Sequence, residues 1–514
     1  YEITTRLVGS EMCIRDRDSI RKTLTDMART EDLKIEDEAI YLPPFYFAEV
    51  GTANRLLALL RESESNLFVT RFNAAELSKE TGITYDEVQL QAIGEALRSK
   101  VMVLTGGPGT GKTTTTQGII AALKHLGLRI LLAAPTGRAA KRMSEATGME
   151  AKTIHRLLEY NPKDGYKRNE ENPLEGDALI VDECSMIDII LMNNLMKAVS
   201  TSMRLVMVGD IDQLPSVGAG NVLRDIIDSE KIPVIRLTRI FRQAQSSRIV
   251  MSAHAINQGR FPDTSNGKDT DFFFMQQEAP EKVAEEIVNL VKNRLPKAYH
   301  RKTADIQVLT PMQRGIVGAA NLNMALQQAL NPSGVSLNRS GYSFRQGDRV
   351  MQLRNNYDKD VFNGDLGFVE SVDLEERTLY INFEGRIVEY DVSELDELTL
   401  AYATTIHKSQ GSEYPIVVMP VLMTHYVMLQ RNLIYTGITR AKKICVLIGT
   451  KKALAFAIRN MTVLKRNTRL KERLNPALGQ SVSPKQIRPY ILGNPEDETA
   501  IAAEPTVGYD KGDK

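Results

Sequence analysis

Residues 101–116 read VMVLTGGPGTGKTTTT, and this stretch decides the fold. Residues 101–105 form a short apolar run rich in β-branched side chains, which predicts a buried strand. The run leads directly into Gly106 to Thr113, which match the pattern G-x-x-x-x-G-K-T, and residues 114–126 are expected to form the following helix. A strand, a glycine-rich loop and a helix in this order predict a phosphate-binding loop.

Each residue type in this loop has a physical role. The glycines allow a tight turn whose backbone N–H groups point at phosphate oxygens, and the new helix adds the positive end of its dipole. Lys112 is expected to hold the β- and γ-phosphates of ATP, and Thr113 to ligate Mg²⁺. The alternative, a glycine-rich turn that binds nothing, is disfavoured by the flanking strand and helix. The expected ATP-binding residues of the loop are Gly106, Gly107, Pro108, Gly109, Thr110, Gly111, Lys112, Thr113 and Thr114.

The composition is that of an ordinary globular protein. The chain has 514 residues, 42% hydrophobic and 25% charged, which is enough for about three or four domains. The formal net charge is +1, so a polyanion site depends on the local placement of Lys and Arg. Cys13, Cys184 and Cys445 have neither metal-ligand spacing nor a disulfide pattern, which favours a reducing cytoplasm. No apolar run approaches the roughly 20 residues that span a bilayer, so no membrane partner is expected.

Apolar strands alternate with helices around the loop. Besides the strand at 101–105, strands are expected at residues 130–134, 178–181, 205–208 and 234–237. This alternation predicts a parallel, doubly wound sheet, which binds its ligands at the carboxyl ends of the strands. Residues 21–80 and 84–100 are expected to be helical, because their apolar residues recur every three or four positions.

Acidic and amide side chains lie where such a ligand is expected. Asp182 follows the strand at 178–181 and is expected to hold Mg²⁺, directly or through water; Glu183 is expected to polarise the attacking water. Gln213 is expected to sense the γ-phosphate, with a simple DQLP turn as the alternative. The amide of Gln89, in the helix before the loop, could read adenine through a paired donor and acceptor. On spacing alone, a surface glutamine is the favoured alternative.

A second alternating block lacks its own phosphate loop. Strands are expected at residues 305–311, 414–421 and 444–450, and a helix at 318–330. Two nucleotide-type blocks with one loop suggest that ATP lies in a cleft between them, with cations supplied from across the cleft. Arg242 and Arg440 are the candidates, because a guanidinium at the γ-phosphate is worth about 10³–10⁵ in rate. A surface salt bridge is the alternative for each.

Three further segments have residue patterns that differ from those of the two alternating blocks. Residues 346–400 alternate apolar and polar residues between Gly and Asp turns, which predicts a small antiparallel barrel. Residues 160–173 are polar and turn-rich, and are expected to form a β-hairpin that stands out of the first sheet. Beyond residue 465 the chain is rich in Pro and charge, and disorder is expected from Asn494.

These motifs, in this order, closely resemble superfamily 1 DNA helicases and, within them, the RecD-like branch of superfamily 1B, the exodeoxyribonuclease V alpha-subunit family. The resemblance covers about residues 41–465. It is carried by YLPPFYFAE (41–49), LTGGPGTGKTTT (104–115), AAPTGRAAKRM (133–143), TIHRLL (153–158), NEENPL (169–174), IVDECSMID (180–188), VGDIDQLPSVGAGNVL (208–223), IFRQ (240–243), VLTPMQRG (308–315), NGDLG (363–367), ATTIHKSQGSEYP (403–415) and YTGITRAK (435–442).

The resemblance implies an α/β fold with two RecA-like P-loop NTPase domains. It implies a helical N-terminal remnant (1–80), domain 1A (81–238) with a strand-separating hairpin 1B (about 159–174), domain 2A (239–345 and 401–465), an SH3-like domain 2B (346–400) and a C-terminal tail (466–514). Longer members carry helix-hairpin-helix elements before this region, so the chain is expected to be N-terminally truncated. Residues 1–20 have no clear periodicity and do not begin with Met, which suggests a fragment with a foreign junction.

The resemblance also implies a role for each matching position. The hydrolytic site would comprise Lys112, Thr113, Asp182, Glu183, Gln213, Arg242 and Arg440, with Gln89 as the adenine reader. Gln410, Gly411 and Glu413 would link nucleotide to DNA. The strand would be lined by Pro135, Thr136, Gly137, Arg138, His155, Thr405 and His407. Hydroxyls, backbone N–H groups and arginine hold phosphates without reading sequence, as a moving motor needs. Without the resemblance, the two histidines are equally well explained as structural.

The sequence therefore predicts a cytoplasmic, ATP-driven and Mg²⁺-dependent 5′→3′ DNA helicase of repair or recombination. Its expected partners are single-stranded DNA, 5′-tailed duplex DNA, and repair or recombination proteins. One alternative is an RNA-acting helicase of the same superfamily. Another is a non-motor DNA-binding subunit of a recombination nuclease complex, against which the intact hydrolytic residues argue.

Overall fold

The computed structural model describes residues 11–62, 74–267, 269–339, 341–356, 358–461 and 466–475. Within these ranges, the side chains of residues 11–18, 62, 74, 75, 242, 243 and 342 are not described. The foreign junction suspected at residues 1–20 lies partly outside the described residues, and the disorder expected from Asn494 lies wholly outside them. Among the described residues, no helix combines the length and the apolar character needed to cross a bilayer.

The N-terminal region is mainly helical. It contains α1 (Glu11–Arg29), β1 (Lys34–Glu36), β2 (Ala39–Tyr41), α2 (Pro43–Glu62) and α3 (Ala74–Thr81). The sequence predicted helices here but missed the two-stranded hairpin of β1 and β2, whose strands have only three residues each. Leu56 and Leu59 of α2 are fully buried in the core that follows, so this region packs onto the first sheet.

A six-stranded parallel sheet forms the first lobe. The lobe contains α4 (Glu87–Arg98), β3 (Val101–Gly106), α5 (Lys112–His125), β4 (Ile130–Ala134), α6 (Gly137–Thr147), β5 (Ala151–Thr153), α7 (Ile154–Leu157), β6 (Tyr160–Asn161), β7 (Gly165–Tyr166), β8 (Ala178–Val181), α8 (Ile189–Ala198), β9 (Arg204–Gly209), α9 (Val222–Asp228) and β10 (Val234–Leu237). Its strand order is β10-β3-β9-β8-β4-β5, with every pairing parallel. The predicted doubly wound sheet is therefore confirmed, and the short edge strand β5 was missed.

The strands of this sheet are buried on both faces. In β8, Leu179 and Val181 pack into the core shared with α2, α8 and α9, whereas Ala178 and Ile180 pack into the core shared with α4 and α5. All four side chains are inaccessible to solvent. A strand covered by helices on both sides is apolar throughout, which is why these segments read as continuous hydrophobic runs.

A short hairpin extends from the first lobe between α7 and β8. Its strands β6 and β7 pair antiparallel, with Tyr160 opposite Tyr166 and Asn161 opposite Gly165. Gly165 has φ +76°, a left-handed conformation that glycine adopts without steric cost. The paired part is shorter than the segment 160–173 that the sequence predicted as a hairpin.

The second lobe begins with α10 (Arg242–Gln245), α11 (Arg248–Asn257), β11 (Phe272–Gln276), α12 (Pro280–Asn289), α13 (Leu295–Tyr299), β12 (Ile306–Thr310) and α14 (Ala319–Leu330). A π-helical turn, Leu290–Arg294, joins α12 to α13. An all-β insertion then interrupts the lobe. The insertion contains β13 (Ser336–Arg339), β14 (Tyr342–Arg345), β15 (Arg349–Gln352), β16 (Leu366–Asp373), β17 (Thr378–Phe383), β18 (Arg386–Asp391) and β19 (Leu398–Leu400).

Five strands of the insertion form an antiparallel sheet in the order β18-β17-β16-β15-β19. β13 and β14 form a separate hairpin that the sequence did not predict. The insertion has its own core, in which Phe344 and Tyr390 are almost completely buried.

The second lobe then resumes with β20 (Ala403–Thr405), β21 (Tyr414–Val421), α15 (Arg431–Thr439), β22 (Ala441–Gly449) and α16 (Lys451–Arg459). Its parallel sheet has the order β11-β22-β21-β12-β20. The sequence found the three central strands and missed β11 and β20. β11 and β20 lie at the two edges of the sheet, so the sequence predicted the central strands and missed both edge strands.

The chain then returns to the first lobe. Residues 466–475, here called the C-terminal strap, contain a one-turn helix, α17 (Leu470–Arg473). Leu470 and Leu474 are completely buried in the core formed by α2, α8 and α9. The start of the predicted C-terminal tail is therefore a folded part of the first lobe.

Candidate active site

The phosphate loop lies between β3 and α5. Gly109 and Gly111 have φ of +72° and +83°, which other residues rarely adopt. A Cβ on Gly111 would lie 2.6 Å from Gln89 Nε2 and 2.9 Å from a ring carbon of Phe241, so the loop also requires glycine for space. Lys112 Nζ donates hydrogen bonds to the carbonyls of Gly106 and Gly107, at 2.5 and 3.2 Å. The helix begins at Lys112, two residues before the predicted start, because left-handed Gly111 forms its N-cap.

Gln89 is buried beside this loop and is not the surface residue that spacing alone favoured. It belongs to the capping box of α4: its backbone N–H donates to Asp86, and its Oε1 accepts from the Asp86 N–H at 3.0 Å. Its Nε2 is buried without a hydrogen-bond partner, which is costly unless a ligand supplies an acceptor. The side-chain N–H₂ of Gln89 is therefore available as a donor near the loop, whereas its oxygen already accepts the capping hydrogen bond of α4.

Asp182 and Glu183 directly follow strand β8. The Glu183 N–H donates to Asp182 Oδ1 at 2.8 Å. Burial, and secondarily the Glu183 carboxylate, raise the pKa of Asp182 to about 6. Glu183 has a left-handed backbone with φ +52°, and its buried Oε1 accepts a hydrogen bond from Arg142 at 3.0 Å. Residues held in this uncommon backbone region cluster at functional sites, and Glu183 lines the cleft described below.

The loop after β9 joins the two lobes. Buried Asp210 accepts hydrogen bonds from Gln213 Nε2 at 3.2 Å and from the hydroxyl of Tyr435 in α15 at 2.8 Å. The backbone of Leu214 also bonds to the second lobe, its N–H to Thr436 Oγ1 and its carbonyl to Gln410 Nε2, both at 2.9 Å. The loop that contains Gln213 is therefore held by the second lobe, and its role as γ-phosphate sensor stays a prediction.

A cleft of about 550 Å³ separates the phosphate loop from the second lobe. Its lining includes Gly107, Pro108, Gly109, Gly111, Lys112, Thr113, Thr114, Arg142, Asp182, Glu183, Gln213, Glu413 and Arg440. Arg440 is only 3% exposed and donates to the Ser412 carbonyl at 3.2 Å, so it is not a surface salt bridge. Arg440 of one lobe and Lys112 of the other thus line a single cavity. Arg242 begins α10, but its side chain is outside the described part of the structure.

Arg142 of α6 is a cleft residue that the sequence did not identify. Its Nη2 bonds to Glu183 at 3.0 Å, and its Nη1 lies 2.9 Å from Glu413 Oε1, across the cleft. Lys442 contacts the other oxygen of Glu413 at 3.2 Å. Although burial opposes it, Arg142 and Lys442 together lower the pKa of Glu413. Helical spacing offered a signal, because Arg142 lies four residues after Arg138 and so on the same side of the helix.

The residues predicted to line DNA fall in two groups. The first group surrounds the start of α6, which Thr136 caps by accepting from the Ala139 N–H at 3.3 Å. Arg138 donates to Ser412 Oγ at 2.8 Å and to the Tyr414 hydroxyl at 3.2 Å, so it bridges the lobes. A Cβ on Gly411 would lie 2.7 Å from Thr136 Oγ1. Pro135, Thr136, Gly137 and Arg138 are therefore close to the motif that contains Gln410, Gly411 and Glu413.

The second group contains the two histidines and Thr405. Burial lowers the pKa of both His155 and His407, which favours neutral imidazoles. The His155 ring lies 5.6 Å from the ring of Tyr160 and 6.0 Å from that of Tyr166, at the base of the β6–β7 hairpin. The sequence assigned no stacking aromatic residues, and the structure groups these two with His155. Thr405 ends β20, two residues before His407.

A second cavity, of about 360 Å³, lies between α6, α7 and the all-β insertion. It is lined on one side by Gly137, Arg138, Lys141 and Arg156, and on the other by Asp360, Phe362, Asp365 and Glu384. Lys141 contacts Glu384, and Arg156 lies 3.1 Å from Asp360. Two ion pairs therefore join the insertion to the first lobe here, although Arg386 of the insertion and Glu145 of the first lobe also line the cavity.

The site fits Mg²⁺ bound together with a nucleotide. Mg²⁺ is usually held by one or two carboxylates plus phosphates and waters rather than by a dedicated protein cage. Thr113 and Asp182 both line the cleft and are the residues that would hold it. Over the described ranges, no three His, Cys, Asp or Glu side chains form a group that could hold a metal ion.

Known proteins resemble this chain in both lobes and in the insertion. Three family models match: an AAA domain at residues 89–219, the SH3 domain of ATP-dependent RecD-like DNA helicases at 322–383, and a UvrD-like helicase C-terminal domain at 400–448. The ATP-dependent RecD2 DNA helicase of Deinococcus radiodurans is 36% identical over 435 residues, which cover 85% of this chain and 58% of that protein. The chain thus spans little more than half of that relative.

Two further similar proteins differ in their identity to this chain and in how much of it they cover. The RecBCD enzyme subunit RecD of Mycolicibacterium smegmatis is 30% identical over 493 residues, covering 87% of this chain and 84% of that protein. The Pif1 helicase from Bacteroides, solved in complex with ADP-AlF3 and ssDNA, is 18% identical with a TM-score of 0.44, covering 78% of this chain and 96% of that one.

Proposed function

This chain belongs to the RecD-like family of ATP-dependent DNA helicases, and we propose that it uses ATP hydrolysis to move 5′→3′ along single-stranded DNA. One observation carries the proposal: the phosphate loop with Lys112 and the buried Arg440 of the other lobe line the same cleft. A nucleotide held between two lobes makes their separation depend on its hydrolysis, which is what a motor requires.

The proposed chemistry assigns one task to each cleft residue. Lys112 neutralises the β- and γ-phosphates of the substrate. Thr113 and Asp182 would hold Mg²⁺, which would offset charge on the transferred phosphoryl group. Glu183 accepts a proton from the attacking water. Gln213 senses the γ-phosphate. Arg440, and Arg242 by the resemblance, stabilise the charge that develops in the transition state.

Gln89 completes the nucleotide site in this proposal. Its buried amide N–H donor, which has no protein partner, faces the space beside Gly111 and Phe241 and suits an acceptor on adenine. The Phe241 ring is placed to pack against the base.

The proposed domain roles follow the two-lobe arrangement. Residues 81–238 act as domain 1A, with the hairpin at about 159–174 as 1B; residues 239–345 and 401–465 act as domain 2A, with 346–400 as the SH3-like domain 2B. Closure and opening of the lobes change the contacts around Leu214 and Ser412, and so shift the DNA-lining groups on either side. Alternating grips advance the strand, and the hairpin separates a 5′-tailed duplex.

The proposed setting is DNA repair or recombination in the cytoplasm. A similar protein bears the name of a RecBCD enzyme subunit, which supports recombination or repair partners for this chain. Cys184 and Cys445 are free and buried, as suits a reducing compartment.

The test of the motor is the Lys112→Ala variant. We expect it to abolish ATP hydrolysis with and without single-stranded DNA, because the phosphates lose their main counter-charge. Lys124→Ala, at the exposed end of the same helix, is the matched control and should hydrolyse ATP like the wild type. Persistent turnover in Lys112→Ala would contradict the proposal.

The direction and the nucleic acid need a separate unwinding assay. Wild-type protein should open 5′-tailed and not 3′-tailed DNA duplexes, and should prefer DNA to RNA. Preference for RNA duplexes would support the RNA-helicase alternative. DNA binding with no ATPase activity would support the non-motor subunit.

A further inference from the structure

We propose that Arg142 is a positioning residue that orients Glu183 for hydrolysis and couples it to the second lobe through Glu413. This inference rests on the proposed ATPase function and adds a component to it: a link between the water-activating carboxylate and the lobe that moves.

Arg142 contacts a carboxylate on each side, like a two-way clamp. One guanidinium nitrogen, Nη2, donates a hydrogen bond to Glu183 Oε1 at 3.0 Å. The other, Nη1, forms an ion pair with Glu413 Oε1 at 2.9 Å that lacks hydrogen-bond geometry. The side chains are 29% exposed for Arg142, 8% for Glu183 and 34% for Glu413. A planar guanidinium can orient one carboxylate and attract a second by charge, whereas an ammonium acts as a single point charge.

Glu183 depends on Arg142 for its orientation. It is buried, its backbone is left-handed, and its Oε1 accepts a hydrogen bond from Arg142 Nη2 at 3.0 Å. A hydrogen bond from a planar guanidinium fixes the direction of a carboxylate. Arg142 therefore holds the Glu183 side chain in one orientation.

Glu413 places the other end of the clamp in the second lobe, at the motif proposed to link nucleotide with DNA. The adjoining residue Ser412 accepts hydrogen bonds from Arg138 of the first lobe and from Arg440 of the second. Lys442 also contacts Glu413, at 3.2 Å. A change in the distance between the lobes therefore alters the Arg142–Glu413 pair, and with it the environment of Glu183.

The first test compares Arg142→Gln with Arg142→Lys in steady-state ATP hydrolysis. We expect Arg142→Gln to lower kcat by about 10–100-fold, as loss of a supporting partner typically does, with a much smaller change in KM for ATP. The ratio of DNA-stimulated to DNA-independent turnover should also fall. Arg142→Lys should recover part of kcat and little of the stimulation, because lysine can hold one carboxylate but not both. Arg129→Gln, which removes a surface arginine of the same lobe, is the control.

The second test is a double-mutant cycle between Arg142→Gln and Glu413→Gln, read out as DNA stimulation. The two effects should be strongly non-additive if the residues act through one contact. Additive effects would overturn the coupling.

The outcomes separate this inference from the motor proposal. An inactive wild type would contradict the proposed function itself. An active wild type with unchanged kcat and DNA stimulation in Arg142→Gln would overturn only the role of Arg142. A lowered melting temperature with no rescue by Arg142→Lys would also overturn it, since the residue would then be merely structural.

Discussion

The C-terminal half of the chain contacts the first lobe at the nucleotide cleft and at the C-terminal strap, and these contacts differ in kind. Across the cleft many contacts are between polar side chains, such as Arg142 with Glu413 and Arg138 with Ser412. Leu214 of the loop after β9 adds an apolar contact, because it is buried in the core of the second lobe. The strap instead buries Leu470 within the core of the first lobe. The strap is therefore part of the first lobe, whereas the cleft contains the polar contacts that the proposed motor cycle would change.

The strap reaches the back of the cleft loop. Arg466 donates to the carbonyls of Ser216, Gly218 and Gly220 at 2.6, 2.7 and 2.7 Å. These residues follow Gln213, whose loop is held on its other side by the second lobe. The C-terminal strap therefore supports the loop that carries Gln213, on the side of that loop away from the second lobe.

Among the variants that test this difference between strap and cleft, Arg473→Ala in the strap should have the largest effect on stability. Arg473 bonds to Glu49 at 2.8 Å and to Glu36 at 3.0 Å, and stacks over the ring of Tyr46. Removing it leaves Glu49 buried without its cation, which should cost about 3–5 kcal/mol in the free energy of unfolding. Chemical denaturation measures this loss, while kcat per folded molecule should stay unchanged. A large fall in kcat with normal stability would show that the strap is part of the catalytic contact.

A smaller effect should appear in the pH dependence of stability, through Asp225. This buried carboxylate accepts a hydrogen bond from Thr468 of the strap at 2.8 Å, and burial raises its pKa to about 7. Because the folded state binds this proton more tightly than the unfolded state, its contribution to stability is lost as pH rises through the folded pKa.

Comparing the wild type with Asp225→Asn isolates this effect. Between about pH 6 and about pH 8 the wild type should lose roughly 1.4 kcal/mol relative to the variant. Denaturation curves at both pH values measure the difference. A constant difference across this range would mean that the strap does not hold a protonated Asp225.

The smallest effect is expected for Lys442→Gln at the rim of the cleft. Lys442 is 53% exposed and pairs with Glu413 at 3.2 Å. Exposed ion pairs are worth about 0–1 kcal/mol, so stability and kcat should both change little. If this variant matched Arg142→Gln in lost DNA stimulation, the exposed rim rather than the buried clamp would carry the coupling.

The sequence predicted the parts of the site whose chemistry dictates local residue types. The loop needs glycine at left-handed positions such as Gly109 and Gly111, and this requirement leaves a recognisable motif. The proposed Mg²⁺ site needs an acid at a strand end, which is likewise visible in the sequence. The parallel sheet was predictable because its central strands are apolar on both faces. Short edge strands such as β5 and β20 have only three residues each, which is too few to show a pattern of apolar and polar residues.

The partners of the strap and of Arg142 were not predictable because they are distant in sequence. Arg473 meets Glu49, 424 residues away, and Arg142 meets Glu183, 41 residues away. Read locally, both arginines belong to charged, solvated surfaces. Only the folded chain brings them to buried carboxylates.

The most direct test of the central claim, that a nucleotide is clamped between the lobes, is hydrolysis by Arg440→Gln together with its binding of a fluorescent ATP analogue. The control is Arg459→Gln, an exposed arginine of the same lobe. We predict that Arg440→Gln still binds the analogue through the phosphate loop but loses about 10³-fold or more in kcat. Hydrolysis at the wild-type rate would contradict the account, because the second lobe would then take no part in the chemistry.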